Sequence, residues 1–224
     1  MPTGELFIVA TPIGNLADIT FRAVETLKSV DLVLCEDTRV TKNLLDRYEI
    51  KTPTLSYHQH SDARRVKEIE QLLADGKNIA LVTDAGTPGI SDPGNQLIHH
   101  LTFSIEHLTF IPIPGPSAVI AALSISGFPV DRFTFLGFPP HKNKRQKYFK
   151  ELALLENTIV FYESGHRIQK CLDELRGVLP PERELVICRE LTKKFETIYR
   201  TIVGKLDQLK MDERGEFVIV INTL

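Results

Sequence analysis

Ile79-Ala80-Leu81-Val82-Thr83-Asp84-Ala85-Gly86-Thr87-Pro88-Gly89-Ile90-Ser91-Asp92-Pro93-Gly94 is the stretch whose reading decides the fold. Its first four residues form a short apolar run, the pattern of a strand buried on both faces in a parallel sheet. From Asp84 to Gly94 the chain packs three glycines, two prolines and two carboxylates into one turn, and a helix is expected from Asn95 to Leu101. Glycine permits tight turns and close backbone approach to a ligand, and proline fixes the turn. Open α/β sheets bind ligands just beyond the carboxyl ends of their strands. The composition of this turn suits a site better than a core.

Working outward, the first half alternates strand and helix. Strands are expected at Leu6–Ala10, Leu32–Cys35, Thr54–Tyr57, Ile79–Val82 and Thr109–Ile113. Between them, Phe21, Val24 and Leu27 share one helical face, as do Val40, Leu44, Leu45 and Tyr48, and Val66, Ile69, Leu72 and Leu73. Ser61 is placed to cap the last of these helices. Such alternation implies a mainly parallel sheet with helices on both faces. Ile111-Pro112-Ile113-Pro114-Gly115-Pro116 interrupts the pattern, giving two α/β domains, 1–114 and 115–224. Pro116 suits the first position of a helix over Ser117–Ser126. Beyond it, strands are expected at Phe133–Leu136, Thr158–Tyr162 and Leu185–Cys188, with helices at Lys144–Leu155 and His166–Leu175. Leu185–Glu190 and Glu196–Val203 lie too close in sequence for a helical crossover, so they should pair antiparallel. With a final strand at Glu216–Ile221, the second sheet is mixed.

Composition narrows the class. The chain has 224 residues, 42% hydrophobic and 25% charged, enough for a sizeable core. No apolar run approaches the ~18 residues of a membrane span. Leu6–Ala10 is too short for a signal peptide and lacks a basic segment before it, so a cytoplasmic protein is expected. Cys35, Cys171 and Cys188 form no C-x-x-C pair, and read as buried, inert thiols. The net charge of −2 hides an asymmetry. Residues 1–114 carry 10 Lys+Arg against 15 Asp+Glu, and residues 115–224 carry 17 against 14, so a polyanion should prefer the second half.

The two commonest phosphate loops are missing: neither G-x-x-x-x-G-K-[ST] nor a G-x-G-x-x-G after the first strand occurs. An ordinary NTPase or nicotinamide enzyme is therefore disfavoured. Other clusters stand at expected strand ends: Thr11-Pro12-Ile13-Gly14-Asn15, Glu36-Asp37-Thr38-Arg39, Phe161-Tyr162-Glu163-Ser164-Gly165-His166-Arg167 and Arg189-Glu190-Leu191-Thr192-Lys193. Singly, each is explained by a turn or helix cap with a surface ion pair. In a wound sheet strand ends of one kind face one crevice, and their joint occurrence weighs against that reading.

Taken in order, Ala10–Leu16, Glu36–Arg39, Ser56-Tyr57-His58, Asp84–Gly94, Pro114–Ala118, Tyr162-Glu163-Ser164, Arg189–Lys193 and Gly215–Val218 resemble the ribosomal RNA small subunit methyltransferase I family, of the tetrapyrrole methylase superfamily. The match runs from about Leu6 to Ile221. The resemblance implies S-adenosylmethionine in a cleft between the two α/β domains. It also implies 2′-O-methylation of a cytidine ribose in the decoding region of small-subunit (16S) ribosomal RNA, free or in the assembled subunit, by a homodimer. Carried over to matching positions, it implies donor contacts from Pro12, Ala85, Gly86, Thr87, Ile90, Ser117, Ala118, Phe161, Tyr162 and Leu191. Backbone groups of the glycine turn can bond the amino-acid part, apolar side chains can flank adenine, and carbonyl oxygens can face the sulfonium. For Ile90 and Leu191 the alternative is plain core packing.

Methyl transfer from a sulfonium is a direct displacement, needing alignment of the ribose oxygen and a way to lose its proton. Glu36, Asp37 and Glu190 are the candidate bases, with Arg39, Arg189 or Lys193 to hold phosphate or polarise the hydroxyl; mutual salt bridges explain all six almost as well. His58-Gln59-His60 places two imidazoles on one strand face, but no carboxylate or cysteine is predictably near. A hydrogen-bonded histidine is expected there, not a metal. His141–Lys150 contains five Lys+Arg and no acid, and follows Gly137-Phe138-Pro139-Pro140. Lys142, Lys144, Arg145 and Lys147 are therefore read as RNA contacts in preference to a solvated helix face.

Two departures from the family's pattern, Gly89 in place of leucine and Gly165 in place of the proline of Ser-Pro-His, are expected to loosen their loops. Longer members carry a small C-terminal domain where this sequence stops at Leu224. RNA affinity should accordingly rest more on 141–150. The competing readings are a same-fold methyltransferase acting on a tetrapyrrole or protein side chain, and a non-catalytic RNA-binding relative. Glu36–Arg39 and Arg189–Lys193 disfavour a hydrophobic macrocycle, and the intact Asp84–Gly94 turn disfavours the loss of catalysis.

Overall fold

The computed structural model describes residues 3–58 and 61–223. It divides into two compact units, Met1–Ser117 and Ala118–Leu224. The division falls just beyond the proline-rich joint because Thr87 Oγ1 donates to Pro116 O at 3.1 Å, tying the joint to the first unit.

In the first unit, β1 (Glu5–Val9), β2 (Leu32–Cys35), β3 (Thr54–Ser56), β4 (Ile79–Leu81) and β5 (Thr109–Ile113) form one sheet. The order is β3-β2-β4-β1-β5 and every pairing is parallel. Helices α1 (Phe21–Ser29) and α2 (Thr38–Arg47) carry the chain outward to β3; α3 (Ala63–Ala74) and α4 (Gly94–Ser104) carry it back across β4 to β5. Right-handed crossovers put outward and returning helices on opposite faces. The strands show this residue by residue. Val33 and Cys35 pack with Ala23, Leu27 and Leu45, whereas Leu34 packs with Ile69, Leu73, Leu97 and Leu101. Each fully buried aliphatic side chain contributes ~1.5–3 kcal/mol against the cost of ordering the chain. Helix α1 starts where Thr20 Oγ1 accepts from the Ala23 N–H at 3.1 Å. The cap expected of Ser61 belongs instead to Asp62, which accepts from the Arg65 N–H at 2.9 Å. A carboxylate also complements the helix dipole. Ser61 Oγ accepts from the His58 N–H at 2.9 Å.

The second unit has strands β6 (Phe133–Phe135), β7 (Thr158–Ser164), β8 (Glu184–Arg189), β9 (Thr197–Ile202) and β10 (Glu216–Ile221), and helices α5 (Ala118–Ser126), α6 (Arg145–Leu152) and α7 (Gly165–Val178). Its order is β6-β7-β10-β8-β9, with β6 parallel to β7 and the other pairs antiparallel, the expected β8–β9 pairing among them. One face packs Ile159, Phe161, Ile187 and Ile219 against α6 and α7 through Phe149, Ile168, Leu172 and Leu175. Helix α5, apolar on nearly all sides, packs on β10 and β7 over the other face.

The topology of the second unit positions its motifs. Strands β7 and β8 both run antiparallel to β10, so they run the same way, and Ser164 pairs with Glu216 while Arg189 pairs with Phe217. Their carboxyl ends therefore share one edge of the sheet. The segment after β6 joins them, with the Tyr162 N–H donating to Gly137 O at 2.9 Å. Cys35, Cys171 and Cys188 are buried free thiols. Among the described residues, no helix is long and apolar enough to cross a membrane.

Candidate active site

The turns after β1, β2 and β4 emerge at one edge of the first sheet because these strands are parallel neighbours. They are stitched together. The Thr11 N–H donates to Gly86 O at 2.9 Å, the Gly86 N–H returns to Thr11 O at 3.1 Å, and Thr11 Oγ1 donates to Thr83 O at 3.0 Å. Gly86 can make this bridge because it sits at φ +87°, open to a residue without Cβ. The far end of the turn is closed by Asp92, whose carboxylate accepts from the Gly89 N–H at 2.8 and 2.9 Å and from the Gly94 N–H at 2.7 Å. Gly89 is at φ +84°, so a leucine there would be strained; its glycine fits a pinned turn and does not loosen one. Pro12 and Gly86 are buried, Thr87 is half-buried, and Ala85 is exposed. Ile90 is 54% exposed, which rules out core packing as its role within this unit.

The acidic groups at this edge are not equivalent. Glu36 accepts a short hydrogen bond from Thr83 Oγ1. Burial pushes the Glu36 carboxyl up, the Thr83 bond opposes the rise, and the Asp84 and Asp92 charges reinforce it. Asp84, raised by burial and the neighbouring Asp37 charge, accepts from the Asp37 N–H at 3.2 Å. Asp37 caps α2, accepting from the Arg39 N–H at 2.8 Å, and pairs with the Arg39 guanidinium at 2.7 Å. Those bonds hold it down at about 2. Glu36 and Asp84 both have the raised proton affinity of an acceptor, and Glu36 is the more enclosed of the two; Asp37 is committed to its charge.

In the second unit Leu191, buried, lies between two residues in the left-handed region, Glu190 at φ 52° and Thr192 at φ 65°. Such backbone costs ~1–3 kcal/mol per residue and persists only where its surroundings fix it. Here they do. Glu190 Oε1 accepts from the Glu216 N–H and from Lys193 Nζ, both at 2.9 Å, Lys193 Nζ reaches Glu216 Oε2 at 2.7 Å, and the Thr192 N–H donates to Glu196 Oε2 at 2.6 Å. Burial works against the Glu190 charge, but the bonds from Lys193 and the Glu216 N–H, with the Lys193 and Arg189 charges, together outweigh it and the carboxyl lies below its ordinary value. Tyr162 packs between the Phe135 and Phe138 rings, with centroids at 5.0 and 5.2 Å. Ser117 and Ala118 flank the division between the units, both half-buried.

Several sequence expectations change here. Arg145 does not face solvent: it is 3% exposed and bonded to Glu163 and Glu174, because α6 turns it inward over the Phe149 ring. Lys142, Lys144 and Lys147 are exposed. Arg189 is also buried, donating to Arg214 O at 2.7 Å and Phe195 O at 3.0 Å and pairing with Asp212 at 3.1 Å, so it fastens loops and does not present its guanidinium to solvent as a phosphate contact would. Phe161 is fully buried, its side chain in the α6–α7 core, so it does not present the ligand-facing side chain expected of it. Gly165 is not loose. A Cβ there would lie 2.2 Å from Glu213 O, and its N–H donates to Gly215 O at 2.9 Å, a bond proline could not make. Of the histidine pair, Gln59 and His60 lie outside the described residues, and His58 is exposed. No group of three or more possible metal ligands occurs among the described residues. Sequence reasoning missed Thr83 as the partner of Glu36, although a hydroxyl ending an apolar strand was its signal.

This architecture, a wound parallel sheet followed by a mixed one, is the tetrapyrrole methylase fold. The tetrapyrrole (corrin/porphyrin) methylase family matches residues 5–207. The crystal structure of the methyltransferase CobJ superposes with a TM-score of 0.73 at 16% identity, covering 99% of this chain and 95% of that one. The uroporphyrin-III-C-methyltransferase from Thermus thermophilus gives 0.69 at 18%, covering 98% and 94%. Within that class the sequence is far closer to another set of proteins. It is 48% identical over 221 residues to the ribosomal RNA small subunit methyltransferase I of Synechocystis sp., spanning 97% of this chain and 78% of the relative. The protein of the same name from Escherichia coli O157:H7 is 44% identical over 223 residues, spanning 97% and 77%. The chain belongs to the ribosomal RNA small subunit methyltransferase I family.

Proposed function

We propose that this protein transfers the methyl group of S-adenosylmethionine to the 2′-oxygen of a cytidine ribose in the decoding region of 16S ribosomal RNA, acting in the cytoplasm as a homodimer. The observation that carries this reading is the 48% identity across 97% of the chain to a ribosomal RNA methyltransferase. The residues present suit the donor. Gly86 and Gly89 bring backbone close without Cβ obstruction, Ile90 offers an exposed apolar surface, and Glu36, Asp84 and Asp92 give the edge a negative potential suited to a cation. Pro12, Ala85, Gly86, Thr87 and Ile90 would hold the donor from the first unit. Ala118, Tyr162 and Leu191 are the second unit's own candidates for contact with the donor, and Ser117 is a further candidate. When bound, the donor supplies an electrophilic methyl group on a positive sulfur.

Glu36 is the group assigned to accept the ribose proton, because burial raises its affinity for one above that of an ordinary carboxylate. Arg39, exposed beside it, is available to a backbone phosphate. Lys142, Lys144 and Lys147 give the negatively charged substrate its cationic surface, which the acidic edge of the first unit does not.

Incubation with labelled donor and purified small subunits, followed by mapping of the modified ribose, tests the assignment. Label on a cytidine 2′-oxygen supports it. Label on protein or on an added tetrapyrrole, or RNA binding without transfer, supports the alternatives. Calorimetry in metal-free buffer should show donor binding, and its absence at high protein and donor concentrations would overturn the site.

A further inference from the structure

The segment from Gly137 to Lys144 leads from β6 into α6 and ends with the exposed Lys142 and Lys144. Its middle is Pro139-Pro140, two residues with no N–H, so their carbonyl oxygens are the only backbone groups by which they can be held. Both are held by arginine. Arg167 Nη1 donates to Pro139 O at 3.1 Å and Arg145 Nη1 to Pro140 O at 3.2 Å. The remaining nitrogens of these arginines converge on Glu163. Arg167 Nη2 lies 2.7 Å from Oε1 and Arg145 Nη2 lies 3.1 Å from Oε2 of the same fully buried carboxylate. Arg167 Nε donates to Ser164 Oγ at 3.0 Å and Arg145 Nε to Glu174 at 2.8 Å, so both forks are fixed in plane.

A buried ion triad adds little stability over an apolar core of the same volume. What this triad does supply is geometry. One carboxylate on β7 orients two planar forks, and each fork fixes one carbonyl of a segment that has no other backbone anchor at those positions.

We propose that Glu163, acting through Arg145 and Arg167, is a positioning residue for RNA: it sets the Gly137–Lys144 segment so that Lys142 and Lys144 meet phosphate. The inference rests on the RNA methyltransferase reading above. It assigns to the buried Arg145 an indirect part in RNA recognition and to Glu163 a role separate from the donor contact read for its neighbour Tyr162.

Two variants test it. In Arg167→Lys a single ammonium keeps the charge but cannot reach Pro139 O, Ser164 and Glu163 together. In Glu163→Gln an amide N–H₂ faces a guanidinium. Tryptic cleavage after Lys142 and Lys144 should accelerate ~10-fold in each, and KM for small subunits should rise ~5–10-fold, with kcat within about twofold and donor Kd unchanged. Should Glu163→Gln fail to fold, the milder Arg167→Lys carries the test. Unchanged cleavage overturns the clamp whatever the substrate. Faster cleavage with unchanged KM overturns its role in recognition, and so does a loss shared equally by donor binding. A wild-type protein that methylates no subunit RNA, while cleavage still accelerates, overturns the functional reading and leaves the clamp as loop architecture alone.

Discussion

Gly165 and Gly177 lie in the same helix, α7, and alanine should have opposite effects at the two positions. At Gly165 a Cβ would stand 2.2 Å from Glu213 O and 3.0 Å from both N and O of Gly215, all backbone atoms. Ordinary contact begins at 3.4 Å, so the 213–215 segment or the start of α7 must move by about 1 Å. That segment is not free to move. It accepts from the Gly165 N–H at 2.9 Å and from Arg189 Nε at 2.7 Å, and the Glu216 N–H beyond it donates to Glu190 at 2.9 Å. Losing two such bonds at ~1 kcal/mol each, with ~1–3 kcal/mol for overpacking, gives ~3–5 kcal/mol of destabilisation. For a chain of this length that is ~5–15 °C in Tm. At Gly177 nothing lies within 4 Å of the added carbon, and alanine should stabilise by ~0.5–1 kcal/mol through its higher helix propensity. Denaturant unfolding followed by circular dichroism measures both. A Gly165→Ala variant within ~0.5 kcal/mol of wild type, or the same sign for both substitutions, would refute the close-packing argument.

Glu36→Gln should lower methyl transfer ~100-fold while stabilising the first unit at pH 7. The ionised carboxyl is disfavoured in the fold, so the advantage of Gln fades as pH falls through the raised folded value and is gone below the ordinary 4.5; unfolding curves across that range check the sign. Asp37 behaves oppositely. Its contribution is fully present above 3.8 and is lost as pH falls through about 2, so the stability difference between wild type and Asp37→Asn should hold level from about pH 5 upward and vanish only below pH 2. Replacing Lys142, Lys144 and Lys147 with Ala should leave Tm unchanged and reduce the salt slope of RNA association by ~2–3, and an unaltered slope would remove these lysines from the interface. Arg145→Ala should instead lower Tm by ~5 °C or more, because Glu163 and Glu174 lose a buried partner.

The first unit was legible because its strands are local and periodic. Val33 and Leu34 face opposite layers, as the alternating pattern requires, and each crossover helix shows its apolar stripe. The antiparallel β8–β9 pair followed from a short connection. What the sequence did not disclose was how charged residues divide between surface and interior. Arg145 sits in a run of Lys and Arg that reads as one basic patch, yet the helical turn aims it at two carboxylates 18 and 29 residues further along. Arg189 is hidden for the same reason, since its partners lie on distant loops. The glycines were misread through local flexibility alone, because the contact that demands Gly165 comes from Glu213, and only the folded sheet brings it near. At the site, the glycine turn could be read from composition. The ranking of its carboxylates depends on Thr83 and on relative burial, which no single stretch encodes.

Strand β10 is the last of the described strands in sequence and the middle strand of its sheet. On a translating ribosome the first unit has all five strands once Ile113 is available, whereas β7 and β8 must wait, unpaired on their facing sides, until Glu216–Ile221 emerges. Until then the nascent second unit exposes two open, apolar borders of the sort that recruit neighbouring chains. Messages terminated before that strand should yield insoluble product.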